Sequence, residues 1–258
     1  MKAILLAGGL GTRMREETEF RPKPMVEIGG RPVLWHIMKI LASQGITDFV
    51  VAAGYKAEHI KNYFLNYLPE NLDFTVSLGK KDSIVYHGQQ QEQDDWTVSV
   101  VDTGLATMTG GRILRLQDFI GDETFFCTYG DGIASVDIRG LLQFHESHGL
   151  SATMTVTRPY SRFGVVDIDE SGIIGTFREK PQMEDWVNIG YFVLAPDVFE
   201  LIDGDDCVFE QRPLHALAES KRIAAFRHDG FWQPMDTVRE AQQLNEIWAS
   251  GQAPWKIW

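Results

Sequence analysis

"LLAGGLGTRM", residues 5–14, is the stretch on which the fold turns. An apolar run, Ala3 to Ala7, stops at Gly8-Gly9, and Gly11, Thr12 and Arg13 follow at once. A buried strand that ends in glycines fits the start of a parallel α/β sheet, which takes its ligands at the carboxyl ends of its strands. Backbone N–H groups there hold an anion without any net charge on the protein. Two familiar phosphate loops fail on spacing. The dinucleotide pattern G-x-G-x-x-G, started at Gly9, requires glycine where Met14 stands. The G-x-x-x-x-G-K-[ST] loop, started at Gly8 or Gly9, meets Arg13 or Met14 instead of its second glycine. Taken alone, the stretch is equally a glycine-rich turn.

The chain alternates strands and helices outward from that loop. Lys2–Ala7 reads as a buried strand. Helix Val33–Ser43 carries Leu34, Ile37, Met38 and Leu41 on one face. Strand Asp48–Ala53, helix Glu58–Tyr67 (ended by Pro69) and a third strand, Asp73–Leu78, complete a βαβαβ opening. Residues 80–96, polar and Gln-rich, read as a surface excursion or hairpin. Thr97–Val101 and Glu123–Tyr129 return as strands, and Ile138–His148 as a helix. Strands Ala152–Thr157, Gly164–Ile168, Ile173–Arg178 and Val187–Leu194 have few helices between them and read as antiparallel additions. Helices Asp197–Ile202, Glu210–Glu219 and Val238–Trp248 follow. The expectation is one α/β domain over 1–258: a Rossmann-like, mostly parallel mixed sheet flanked by helices, with a small antiparallel C-terminal subregion.

Composition narrows the function classes. The chain has 258 residues, 44% apolar and 23% charged, with a net charge of −12. That charge argues against nucleic acid or anionic membrane as partner, since both require a basic face. A phosphate site must then be local, and Arg13, Arg15, Arg21 and Lys23 crowd one segment. No run approaches the roughly 18–20 apolar residues of a membrane span, and the N-terminus does not read as a signal peptide. Cys127 and Cys207 make no disulfide framework, so they are read as core residues in a reducing cytoplasm. His145 and His148 share one helix face but lack a completing ligand set, and are read as surface histidines. Trp232, Trp255 and Trp258 are read as packing against the body or forming a subunit contact.

"LAGGLGTRM" followed by "RPKPMVEIGGRPVLWH" resembles the two-part signature of the sugar-1-phosphate nucleotidyltransferases: a G-G-x-G-T-R loop, then a lysine, here Lys23, between prolines. "VVDTGLATMTGGR", "TYGDG", "SRFGVVDID", "FREKP", "VNIGYFVL" and "GFWQPMDT" extend the resemblance over essentially the whole chain. The "DTGLATMTGGR" form, with Thr107 where thymidylyl and uridylyl relatives usually carry glutamine, resembles the cytidylyl branch. The substrates implied are CTP and glucose 1-phosphate. Rivals are transfer from dTTP, UTP or GTP, and a non-catalytic relative that senses sugar nucleotides. A glycosyltransferase using "DID", residues 167–169, as its metal motif is a third.

The resemblance also implies roles. The attacking phosphate is already an oxyanion, so the site must neutralise and align two anions rather than supply a nucleophile. Leu6, Ala7, Gly8, Gly9, Leu10, Gly11, Thr12 and Gly130 would cradle the nucleotide. Arg13 and Lys23 would hold its phosphates, as a fork and a point charge. Asp131 and Asp236, otherwise ordinary turn aspartates, would hold Mg²⁺. Thr103, Thr107 and Arg112 are the CTP contacts expected, with Arg112 donating either to cytosine O2 or to a phosphate. Lys180 would meet the sugar phosphate, and Gly164, Glu179 and Asn188 the sugar, with residues 151–258 mainly on that side. Ile189, where relatives carry glycine or alanine, is expected to narrow the sugar pocket. The family tends to be oligomeric, which implies a homo-oligomer, a trimer or hexamer.

Overall fold

A computed structural model describes residues 1–79, 83–87 and 95–258. Seven strands form the central sheet: β1 (Lys2–Ala7), β2 (Asp48–Ala53), β3 (Thr97–Asp102), β4 (Phe125–Tyr129), β5 (Ala152–Thr157), β6 (Val187–Leu194) and β7 (Ile223–Arg227). Their order across the sheet is β7-β5-β6-β4-β1-β2-β3. Only β6 runs against its neighbours β4 and β5; the β1–β2, β1–β4, β2–β3 and β5–β7 pairings are parallel. The chain builds β1, β2 and β3 outward in one direction, then places β4 on the other side of β1. That reversal opens a crevice at the carboxyl ends of β1 and β4, where such sheets bind ligands.

Alternation along β1 explains why the sheet is covered on both faces. Ala3, Leu5 and Ala7 pack with Leu34, Ile37, Met38 and Leu41 of α1 (Val33–Ala42). Ile4 points the other way and packs with Ile113, Leu116, Phe192 and Leu217. These side chains are fully or almost fully buried, which stabilises by about 1.5–3 kcal/mol for each large one. The other main helices are α2 (Ala57–Leu65), α3 (Thr109–Leu114), α4 (Ile138–His148), α5 (Arg212–Glu219) and α6 (Val238–Ala249).

Three element expectations require correction. Asp73–Val76 does not join the parallel sheet. It pairs antiparallel with Ile84–His87 in a separate hairpin whose residues are almost all exposed, so there was no core face to recruit it. The third parallel strand is β3. Residues 80–82 and 88–94 of the polar stretch lie outside the described residues. Likewise Val165–Ile168 and Ile174–Arg178 form their own hairpin instead of extending the main sheet. Pro69 does not end the 58–67 helix; it lies inside a short helical turn, Tyr67–Asn71.

His145 and His148 are not surface histidines. His145 is buried and His148 half-buried, and both meet the Thr153 hydroxyl, at 2.9 and 2.8 Å. His36 is fully buried: its Nε2 lies 2.8 Å from the Ile28 carbonyl, and its Nδ1 accepts from Trp255 Nε1 at 3.4 Å. The C-terminal tryptophans thus pack against the body, with Trp255 also against Trp248 and Phe231. Burial pushes the His36 imidazole down to about 4, and lowers His145 and His148 as well.

A histidine held below its unfolded value stabilises the fold above that value and loses the contribution as pH falls. For His36 the window runs from 6.5 toward 4. Between pH 7.5 and 5.0 it costs about 2 kcal/mol. Urea unfolding at those two pH values should show the loss, and His36→Gln should reduce it; an unchanged midpoint in the parent would refute the assignment.

Candidate active site

The crevice at the β1/β4 switch holds a cavity of about 320 Å³. One wall is the loop after β1, with Ala7, Gly8, Gly9, Gly11, Thr12 and Arg13. Lys23 and Pro24 close the second side, Thr107, Met108 and Thr109 the third, and Tyr129 and Asp131 the fourth. Leu6, Arg112 and Asp236 complete it. Leu10, Thr103 and Gly130, also expected at the nucleotide, do not line it. Leu10 is half-exposed on the outside of the loop, and Gly130 packs behind it against Leu6 O and Pro24.

Three segments far apart in sequence meet at one ammonium. Lys23 is almost buried, on a single helical turn that the extended Pro22 starts. Its Nζ donates to Asp131 Oδ2 at 2.6 Å and to Asp236 Oδ1 at 2.5 Å. Arg13 adds a second cation, donating to Asp236 Oδ2 at 2.6 Å. Asp131 reaches the spot because it follows β4, and Asp236 because α6 begins next to it. There, Glu240 of the Thr237 capping box also accepts the backbone N–H of Asp236, at 2.8 Å. Arg162 in turn donates to Glu240 at 2.5 Å.

Arg112 occupies a different position from the one expected. Its guanidinium is buried and donates to Ala53 O at 3.2 Å, Gly104 O at 2.8 Å, Gly8 O at 3.0 Å and Thr103 Oγ1 at 2.6 Å. Those carbonyls end β2, follow β3 and follow β1, so one fork clasps three loops. A Cβ at Gly8 or Gly54 would stand 2.1 or 2.5 Å from the guanidinium, which accounts for both glycines. The neighbouring glycines of "TGGR" serve packing. Gly110 and Gly111 let the crossing segment 205–207 approach, and both donate their N–H to Cys207 O. Thr103 is a correction: it is fully buried and donates to Ala53 O at 2.7 Å, so its hydroxyl is committed behind the wall.

The residues expected at the sugar do not line the cavity. Glu179 and Lys180 are exposed and 3.8 Å apart, just beyond the Val165–Arg178 hairpin, and Gly164 opens that hairpin against the Phe177 ring. Asn188 lies on β6 and accepts from Gly190 N at 2.8 Å. Ile189 is buried in the core, so it does not narrow a pocket. "DID" is not a metal motif here: Asp167 pairs with Arg178, and Asp169 caps its own turn through Ser171 and Ile173. Pro24, Met108, Thr109 and Tyr129 line the cavity without having been singled out. Each lies inside a motif stretch quoted above, and that membership was the only signal available.

The chain matches the model of the nucleotidyl transferase family over residues 2–233. It is 48% identical to a glucose-1-phosphate cytidylyltransferase of Salmonella typhi and 42% to a probable one of Bacillus subtilis, covering all of both chains in each case. Among solved structures it resembles HddC from Yersinia pseudotuberculosis, with a TM-score of 0.69 at 23% identity over 96% of this chain and 99% of the other. Nucleotidyltransferases of this kind generally use a divalent metal. The βαβ opening, the glycine loop at the switch point and the full-length identity lead to one conclusion: the chain belongs to the nucleotidyltransferase family.

Proposed function

We propose that the chain transfers a cytidylyl group from CTP to α-D-glucose 1-phosphate, forming CDP-glucose and pyrophosphate. The observation that carries the chemistry is the convergence of Lys23, Asp131, Asp236 and Arg13 at the mouth of the glycine loop. The full-length identity to a glucose-1-phosphate cytidylyltransferase supports the choice of nucleotide and sugar.

A sugar-phosphate oxygen attacks the α-phosphorus of CTP in line. The new P–O bond forms as the bond to pyrophosphate breaks, and its electron pair leaves with pyrophosphate. No protein group is consumed or protonated. The chain's task is to align two anions and neutralise their repulsion. The glycine loop offers backbone to the nucleotide, Gly9 having no atom of the protein near its missing side chain. Arg13 and Lys23 are the cations for the phosphates, and Lys180 for the sugar phosphate. Glu179, just beyond the hairpin, and Asn188, on β6, are the sugar partners.

Mg²⁺ fits the residues present. Two carboxylates from different elements already converge on one cation, the Lys23 ammonium, and all their donors are oxygens. Among the described residues no cluster of three or more His, Cys, Asp or Glu exists, which suits an ion held by one or two carboxylates with water and substrate oxygens. Asp131 and Asp236 would hold it. When bound, it would supply Lewis-acid stabilisation of the charge on the phosphoryl oxygens. Lys23 and Arg13 balance the two aspartates until substrate phosphates compete for those cations.

Phe163, Phe177, Ile168 and Ile174 expose most of their surface along one hairpin. Such a patch supports a homo-oligomer, a trimer or hexamer. The buried free thiols Cys127 and Cys207 suit a reducing cytoplasm. Among the described residues no helix is long and apolar enough to cross a membrane.

Pyrophosphate release should be greatest with CTP and glucose 1-phosphate across a panel of nucleotides, and to require a divalent metal; preference for dTTP or GTP would overturn the base assignment. Asp131→Asn should lower kcat by about 10³-fold with the fold intact. Arg112→Lys replaces a fork by a point charge that cannot span three loops. It should raise the KM for CTP by at least about tenfold and lower the Tm. Normal kinetics in that variant would remove Arg112 from nucleotide binding.

A further inference from the structure

One carboxylate under the cavity serves two of its walls. Glu210 lies in the turn before α5. Its Oε1 accepts from the Tyr129 hydroxyl, and its Oε2 accepts from Thr109 Oγ1 at 2.6 Å. Thr109 Oγ1 also accepts from Phe209 N at 2.9 Å, so the one hydroxyl accepts from the backbone and donates to Glu210. Tyr129 and Thr109 both line the cavity, on the β4 side and on the nucleotide-loop side.

Tyr129 leans on the strand that carries the proposed sugar partner. Gly190 has a left-handed φ of 82°, and a Cβ there would stand 2.1 Å from Tyr129 Cδ2. The Gly190 N–H is the one that Asn188 Oδ1 holds. The ring is therefore gripped at its hydroxyl by Glu210 and at its edge by the backbone of β6. Asp131 follows two residues later in the chain.

The carboxylate is not required to hold its own segment down. Backbone bonds from Met108 N to Asp205 O and from Gly110 N to Cys207 O, with the Arg115–Asp205 ion pair, already stitch residues 205–207 to α3. What the side chain adds is the link to Tyr129. We propose that Glu210 is a positioning residue for the sugar-phosphate substrate: through Tyr129 it sets the Asn188–Gly190 stretch of β6 against the cavity. The inference rests on the sugar-1-phosphate reading above.

The test is steady-state kinetics in both substrates. Glu210→Ala should raise the KM for glucose 1-phosphate at least tenfold and leave that for CTP within threefold. Glu210→Gln, whose amide oxygen can still accept from the Tyr129 hydroxyl, should restore most of the loss. Tyr129→Phe should reproduce most of the sugar effect, and the double variant Glu210→Ala/Tyr129→Phe should add nothing further. Equal shifts in both KM values, or a change in Tm alone, would overturn the proposal, as would a neutral Tyr129→Phe. The parent enzyme separates the two ideas. If it prefers another nucleotide or sugar phosphate, the substrate reading fails, and the same KM split measured with the preferred pair still decides the role of Glu210.

Discussion

The Arg112 guanidinium is the constraint on which the site's architecture rests. Three parallel strands, β1, β2 and β3, end side by side, and a carbonyl at or just past the end of each turns toward the same guanidinium. One planar cation satisfies Gly8, Ala53 and Gly104 together. Burying a charge is costly unless it is fully hydrogen-bonded, and burial does lower the basicity of Arg112. Among the described residues no carboxylate pairs with it, so its charge is offset by carbonyl dipoles and by the more distant Asp102. The glycine loop is held open in consequence: Gly8 and Gly54 leave the space for the fork, and the fork keeps the loop from collapsing.

The second constraint is electrostatic. A chain of net charge −12 binds two polyanions only if its cations are placed, since the long-range field is unfavourable. Lys23 and Arg13 are placed by pairing with Asp131 and Asp236. Each partner holds the other in position, and the pairing keeps the site near neutral without ligand. Glu240 fixes Asp236 from behind through the cap of α6, and Glu210 fixes Tyr129 from below. Carboxylates outside the reaction thus do much of the positioning.

Several sequence expectations were met because local chemistry was sufficient. Burial on both faces makes β1 and β2 near-continuous apolar runs, and α4 begins and ends where Asp137 caps it and Gly149 turns left-handed. Others missed for reasons of context. Asp73–Val76 has strand chemistry, yet a strand is recruited to a sheet by a partner edge, and β3 holds the edge of β2. His145 and His148 read as surface residues because periodicity does not reveal that Thr153 of β5 will face them. "TGGR" read as a nucleotide motif, while two of its residues are spacers for a segment nearly a hundred positions later.

By itself the sequence determined the α/β class, the strand-to-loop placement of the glycines and the family to which the chain belongs, because these follow from periodicity and short-range motif spacing. Only the tertiary structure decided which residues share a site. Lys23 lies 108 and 213 residues from the two aspartates it holds, and Tyr129 lies 81 from Glu210. Such contacts are set by the order in which strands enter the sheet. That order places the carboxyl ends of β1 and β4 side by side, and with it Arg112 became a clasp across three loops at the cavity wall and Ile189 a core residue rather than an obstacle.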